Sequence, residues 1–245
     1  MNTKITIDKQ CSFDLDALAQ MHRLRAKIFS ERMGWEVAVQ SGMEIDGYDA
    51  CSPHYLLVRD GSDAVCGCWR LLPTQGPYML RDTFPQLLHG QEPPASPRIW
   101  ELSRFAIVSP EQAGFGFGEL ALDAMRAVVA FADRRNVTSY VTVTTIAVER
   151  LLVRARVATR RFGPPMGVGK VSAVALSIDL GEQTHEALFG HGSACASTQH
   201  GFEQSPRTAD ECATRLVKAQ QRMHFARQAD ALGGPNAGAG RIVTA

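Results

Sequence analysis

The chain has 245 residues, enough for one sizeable core with a tail. With 45% hydrophobic and 21% charged residues it has an ordinary globular composition, and a net charge of +1 offers nothing that would draw it to nucleic acid or a membrane surface. No apolar run reaches membrane-spanning length, and the start MNTKITIDKQ lacks the apolar core of a secretory signal, so a cytoplasmic location is expected. Cys11, Cys51, Cys66, Cys68, Cys195 and Cys212 are scattered, which reads as reduced thiols. On one strand Cys66 and Cys68 are expected to face the same side.

Residues 12–32 carry a helical pattern, with Leu15, Leu18, Leu24 and Ile28 near one face and Ser12 as N-cap. Arg25 and Phe29 share the neighbouring stripe, Gly34 ends the helix and Trp35 follows it. Residues 36–54 read as a loop long enough to need its own packing or a job. Residues 55–59 and 64–72 read as a hairpin around Asp60-Gly61-Ser62-Asp63, with Arg70 on its second strand. A short helix is expected over 78–88, then a Pro-rich connection and a strand over 99–108. Helix 119–134, strand 139–145, helix 146–156, strand 171–180 and helix 182–189 follow. After Gly190 the composition turns to His, Ser, Gln, Gly and Ala. Residues 209–231 have helical spacing, and the end GGPNAGAGRIVTA reads as disordered. The domain is therefore expected to span 1–190, with an extension over 191–245. Strands interleaved with helices predict an α/β sheet covered on both faces.

The strand IWELSRFAI sets Glu101 and Arg104 into an apolar run, where a charge is costly unless paired or used. Arg25, Asp46, Asp49 and Arg70 also lie beside apolar or aromatic residues, and these groups are expected to converge on one cleft. Taken singly, each reads equally as a structural ion pair or a solvated charge. Gly114, Gly116 and Gly118 precede a helix, as a phosphate loop does, but no Walker pattern is present. The Q/R-x-x-G-x-G/A loop of coenzyme A-dependent acetyltransferases also fails, because Gln112 stands two residues before Gly114 rather than three. Loop flexibility and contact with a phosphopantetheine arm both remain open. The histidines have no metal spacing, and there is no G-x-S-x-G elbow, so no metal or cofactor is expected.

Taken in order, the residues resemble a known family. Arg25-x-x-x-Phe29-x-x-x-x-x-Trp35, Glu44-Ile-Asp46-Gly-Tyr-Asp49, Arg70 after Gly67-Cys-Trp, Phe84 and Glu101-Leu-Ser-Arg104 resemble the pattern of acyl-homoserine-lactone synthases, the Lux-type autoinducer synthases of bacterial quorum sensing. The runs MEIDGYDA, GPYMLRDTF, WELSRFAI and VTVTT are most similar to the Las-type branch, which makes a 3-oxododecanoyl product. The resemblance spans about residues 21–190, and the extension has no counterpart in it.

It implies a GNAT-like three-layer α/β/α sandwich, with a mixed central sheet and a V-shaped cleft. It implies acyl transfer from acyl carrier protein to the amine of S-adenosylmethionine, then lactonisation with release of methylthioadenosine. Glu101 is the implied base, with Arg104, Asp46 and Arg25 beside it. Arg25, Phe29, Trp35, Asp46, Asp49 and Arg104 are the implied S-adenosylmethionine contacts, and Arg70 and Phe84 shape the cleft. Arg104 is expected to hold Glu101 or a neighbouring carboxylate. Met79, Phe105, Met125, Thr144, Val148 and Leu152 are the implied acyl contacts, and Thr144 carries the hydroxyl for a 3-oxo group. Arg150, Arg154 and Arg161, within a cluster that includes Arg156 and Arg160, form a plausible docking patch for acidic carrier protein. Arg156 departs from the family's small residue, which bears on where its helix ends. The rival readings are an N-acetyltransferase using acyl-coenzyme A, and a non-catalytic protein that binds S-adenosylmethionine or acyl groups.

Overall fold

A computed structural model describes residues 3–108, 118–168 and 171–190, all within one compact unit that spans Met1–His200. The expected extension, with Gly114 and Gly116, lies outside the described residues. An eight-stranded sheet runs in the order β1 (Lys4–Lys9), β4 (His54–Arg59), β5 (Val65–Pro73), β6 (Ile99–Ile107), β7 (Ser139–Thr145), β10 (Val171–Asp179), β8 (Thr159–Arg161), with β9 (Met166–Val168) also paired to β10. The β6–β7 pair is parallel and the other paired strands of this sheet are antiparallel. On one face α3 (Glu119–Asp133), α4 (Ile146–Arg154) and α5 (Glu182–Phe189) cover a core that includes Leu56, Leu71, Leu102, Val128 and Leu176. On the other face α1 (Leu15–Arg25) covers Tyr55, Leu57 and Cys68, while α2 (Met79–Asp82) and the turn Pro85–Leu88 cover Leu72, Val141 and Ala175. This is the expected three-layer α/β/α arrangement.

The first helix differs from expectation at both ends. Asp14, not Ser12, is the N-cap, because its carboxylate accepts the Ala17 N–H at 2.7 Å while Ser12 belongs to a preceding turn. Leu15 is exposed rather than on the buried face, which is formed by Ala17, Met21, His22 and Arg25. After Arg25 the helix widens into a π-helical segment, Ala26–Arg32, and Gly34 ends it at φ 64°. The expected loop over 36–54 holds a small hairpin of β2 (Val39–Gln40) and β3 (Met43–Glu44) and a single turn over Gly47–Ala50. Helix α4 stops at Arg154, and Arg156 takes a left-handed φ of 59°, a conformation that glycine, with no Cβ, adopts with least strain.

Two bulges shape the sheet. Val58 pairs with Gly67 and Arg59 with Val65, so Cys66 is an extra residue. Cys66 and Cys68 therefore enter opposite cores, against the expectation from simple alternation. Cys11 is disulfide-bonded, which the reduced-thiol reading did not anticipate, whereas Cys51, Cys66 and Cys68 are free. The second bulge lies on β6. Cys68 pairs with Ala106 and Arg70 with Ser103, and Arg104 within the wider step has φ 59°.

Candidate active site

The cleft begins where two strands part. β6 and β7 pair over three positions, Ile99–Ser139, Trp100–Tyr140 and Glu101–Val141, and then separate. The gap opens into a small cavity of about 60 Å3, lined among others by Phe29, Trp35, Met79, Phe84, Glu101 and Arg104. A second cavity, of about 40 Å3 and lined by Trp69, Thr142 and Leu152, shares Ser103, Arg104, Phe105, Val143, Thr144 and Val148 with the first. The two adjoin across these shared walls, the first bordered by Glu101 and the second by Leu152 of α4.

Beside the cleft is an ion-pair network of three guanidiniums and three carboxylates. Arg25, with no exposed surface, grips Asp49 through Nη1 at 2.8 Å and Nη2 at 3.0 Å, and its Nε donates to Glu44. Arg70, equally buried, donates from Nη1 to Asp46 Oδ1 at 2.5 Å and Asp49 Oδ1 at 2.8 Å, and from Nε to Ser103 Oγ at 3.1 Å. Arg104 donates to Glu44 Oε1 from Nε at 3.0 Å and Nη2 at 2.8 Å. It does not reach Glu101; its other ion pair is with Asp46 Oδ2, at 2.8 Å but off hydrogen-bond geometry. Asp49 also accepts the Tyr55 hydroxyl at 2.5 Å and the Asp46 backbone N–H at 2.8 Å. Burial alone would raise the Asp49 pKa, but Arg25 and Arg70 outweigh it and hold the carboxyl well below the usual carboxylate range.

With these partners Arg25 and Asp49 are fully engaged and closed from the cleft. Asp46, Arg104 and the aromatic residues are nearer its open side. Phe29 is stacked on Trp35, with centroids 5.5 Å apart, and the Arg104 guanidinium lies 5.5 Å from its centroid. Phe29, Trp35 and Phe84 all line the first cavity and are its aromatic surfaces beside the ion-pair network. The Trp35 indole N–H is buried with no acceptor.

Glu101 is fully buried. Its Oε2 accepts the Met79 N–H at 2.9 Å and its Oε1 the Leu80 N–H at 2.7 Å, so the carboxylate closes the first turn of α2. Burial pushes its pKa up from 4.5 to about 7, against the two N–H groups and the more distant charges of Arg70 and Arg104, which pull it down. A carboxyl poised near neutrality, with a second lone pair on each oxygen, can take a proton from an ammonium or from a bridging water.

Of the expected acyl contacts, Met79, Phe105, Thr144, Val148 and Leu152 line one or both cavities, whereas Met125 lines neither and is packed in the core. Arg150 and Arg154 are exposed on α4, but Arg161 is claimed by a bidentate pair with Glu149, at 2.5 and 2.6 Å. Glu44 and Ser103 are the principal residues that the site reading passed over. Glu44 stands as one acid between Met43 and Ile45, and Ser103 is a small polar residue two positions past Glu101; both are cues to burial, but neither names a partner. Among the described residues no group of three metal-ligating side chains converges, and no helix is long and apolar enough to cross a membrane.

This fold and cleft define an acyltransferase of the GNAT-like class. Known proteins narrow the class further. The autoinducer synthase family model matches residues 11–188. An acyl-homoserine-lactone synthase of Pseudomonas aeruginosa is 49% identical over 188 residues, covering 76% of this chain and 94% of that protein. One from Aliivibrio fischeri is 38% identical over 168 residues, covering 67% of this chain and 87% of that protein. Among solved structures, the acyl-homoserine-lactone synthase LasI superposes with a TM-score of 0.73 at 47% identity, covering 80% of this chain and 98% of that one. BjaI, a CoA-dependent acyl-homoserine lactone synthase solved with SAM and isopentyl-CoA, gives a TM-score of 0.70 at 27% identity, covering 89% of this chain and all of that one. The chain belongs to the autoinducer synthase family. It is an acyltransferase that joins an acyl chain to S-adenosylmethionine and makes an acyl-homoserine lactone.

Proposed function

We propose that the acyl donor is a long-chain, 3-oxo acyl group carried by acyl carrier protein, and that the residues of the cleft divide the work as follows. The sulfonium nucleoside lies against Trp35 and Phe84, and Asp46 offsets its charge. Arg25, Asp49 and Arg70 hold Asp46 and Arg104 in place without touching substrate. The acyl chain runs between β6 and β7, over Phe105, Val148 and Leu152, and its C3 oxygen meets the Thr144 hydroxyl. Each methylene it buries contributes about 0.8 kcal/mol, so preference among chain lengths is graded.

The α-ammonium of the substrate, with an ordinary pKa of about 7.7–8, must lose a proton before it attacks. Glu101 takes that proton through a water. The free amine then attacks the thioester carbonyl, forming the amide N–C bond as the C–S bond breaks and the carrier leaves as its thiol. In the second step the substrate carboxylate displaces the sulfonium at the γ-carbon. The lactone C–O bond forms, the C–S bond breaks, and methylthioadenosine leaves with the electron pair that neutralises its sulfur.

The observation that carries this reading is the three-position pairing of β6 and β7, beyond which two adjoining cavities lie, the first walled by the buried Glu101. Carrier protein is favoured as donor by Arg150 and Arg154, exposed on the helix that starts at the cleft wall Thr145. The test supplies purified enzyme and S-adenosylmethionine with a 3-oxododecanoyl group on carrier protein or on coenzyme A, with lactone followed by mass spectrometry. A kcat/KM at least tenfold higher with the carrier protein is expected. Equal or better use of the coenzyme A thioester would overturn the donor assignment. A shorter or unsubstituted acyl mass from producing cells would overturn the chain assignment.

A further inference from the structure

We propose that Met79 is a positioning residue for S-adenosylmethionine, acting through its thioether sulfur rather than only as an apolar wall of the acyl passage. The proposal rests on the reading of the cleft as the S-adenosylmethionine site. It follows from where the last guanidinium nitrogens go. Arg70 spends Nε on Ser103 and Nη1 on Asp46 and Asp49, which leaves Nη2, and that nitrogen donates to Met79 Sδ at 3.1 Å. Arg104 spends Nε and Nη2 on Glu44, which leaves Nη1, and that nitrogen donates to the same sulfur at 3.2 Å. One thioether therefore receives two cations. The Met79 backbone N–H meanwhile donates to Glu101 Oε2 at 2.9 Å. A single cleft-lining residue thus touches both the ion-pair network and the proposed base.

The choice of sulfur matters physically. A thioether is a weak but polarisable acceptor. It gives these buried N–H groups a partner without adding charge to a network that already matches three guanidiniums with three carboxylates, so Arg70 stays locked and Arg104 keeps its orientation at the cleft wall. A carboxylate at this position would tip that balance to net negative and repel the carboxylate of the substrate. A hydrocarbon side chain would leave Arg70 Nη2 with no acceptor at a site with no exposed surface.

The test compares Met79→Leu with Met79→Gln in steady-state kinetics for both substrates. Leu nearly conserves volume but removes the acceptor, and Gln restores one through its amide oxygen. Met79→Leu is expected to raise KM for S-adenosylmethionine about five- to tenfold and to change KM for the acyl donor less than twofold. The acidic limb of its kcat–pH profile should stay in place, because the backbone N–H to Glu101 is retained. Met79→Gln should return KM for S-adenosylmethionine to within threefold of wild type. A wild-type KM in Met79→Leu, a shift confined to the acyl donor, or a Met79→Gln value raised more than threefold would each overturn the proposal. If Met79→Leu does not fold, the Met79→Gln threshold decides alone. A wild-type enzyme that shows no saturable S-adenosylmethionine dependence would instead overturn the reading of the cleft.

Discussion

Replacing Glu101 with Gln tests the chemistry and the electrostatics of the site in one variant. The carboxyl titrates at about 7 in the folded protein and near 4.5 when the chain is unfolded. Its folded value is raised, so the native state holds the proton more tightly. The stability this contributes is present at low pH and disappears as pH rises from 4.5 through about 7. At about 1.4 kcal/mol per pH unit of difference, the wild type should lose about 2.5 kcal/mol relative to Glu101→Gln between pH 5 and pH 8. A second effect is independent of pH. Gln can accept one of the N–H groups of Met79 and Leu80 through its oxygen, but its amide nitrogen leaves the other unpaired, at about 1–3 kcal/mol. The two effects separate as a slope and an offset. Urea unfolding of both proteins at a series of pH values reads them, and lactone formation should fall about 100- to 10,000-fold in the variant. A difference in stability that is flat from pH 5 to pH 8 would refute the buried, neutral-pH carboxyl. Wild-type turnover would remove Glu101 as base.

Three further outcomes follow from the same structure. Reversing Arg150 and Arg154 to Glu should raise KM for acyl carrier protein at least fivefold and flatten its salt dependence, with KM for S-adenosylmethionine unchanged; an unchanged donor KM would place docking elsewhere. Thr144→Val keeps the shape of a residue that lines both cavities but removes its hydroxyl, so the kcat/KM ratio of 3-oxo to unsubstituted donors should fall about five- to tenfold, read by competition and mass spectrometry. His54 is buried beside Trp100 and Phe131 with both ring nitrogens unpartnered, and burial, reinforced by Arg135 and Lys9, lowers its pKa from 6.5 to about 4. That stability is complete above 6.5 and is lost as pH falls toward 4, by about 3 kcal/mol, so His54→Leu should keep in acid the stability that the wild type gives up; parallel unfolding curves for the two proteins between pH 7 and pH 4 would count against it.

His54 and Glu101 pull in opposite directions over nearly the same pH range. On acidification from 7 to 4.5 Glu101 adds stability while His54 removes it. The wild type can therefore look insensitive to pH while containing two strongly perturbed groups, and the single variants are what expose them. Neither shift is visible in sequence alone, because His54 reads as one polar residue at the start of an apolar strand.

Much of the frame was nonetheless legible. Strand 139–145 and helix 182–189 fall where periodicity puts them, because each carries one clean repeat between turn residues. β1 was not, since four of the six residues of KITIDK are polar and only its pairing with β4 makes it a strand. The acids and guanidiniums were recognisable as unusual, but not who holds whom. Glu44 takes Arg104, and Glu101 takes two backbone N–H groups, because tertiary approach rather than spacing decides those partners.

The largest hidden feature is the β6 bulge. Along an unbroken strand Glu101, Ser103 and Phe105 would share a face. The extra residue, with Arg104 at φ 59°, reverses the alternation, so Glu101 and Ser103 stay with α2 while Phe105 packs on Trp69, 4.6 Å away, on the opposite face. That single reversal puts the Glu101 carboxyl on one side of the sheet and the Phe105 ring on the other, at the wall the two cavities share. It also turns Arg104 into the acidic cluster between them. A regular β6 with the same composition would place Phe105 beside Glu101 and turn Arg104 toward the apolar α3 core, away from Glu44 and Asp46. The strained backbone at Arg104 is therefore what lets one strand present Glu101 and Arg104 to the ion-pair side of the cleft and Phe105 to Trp69 on the other.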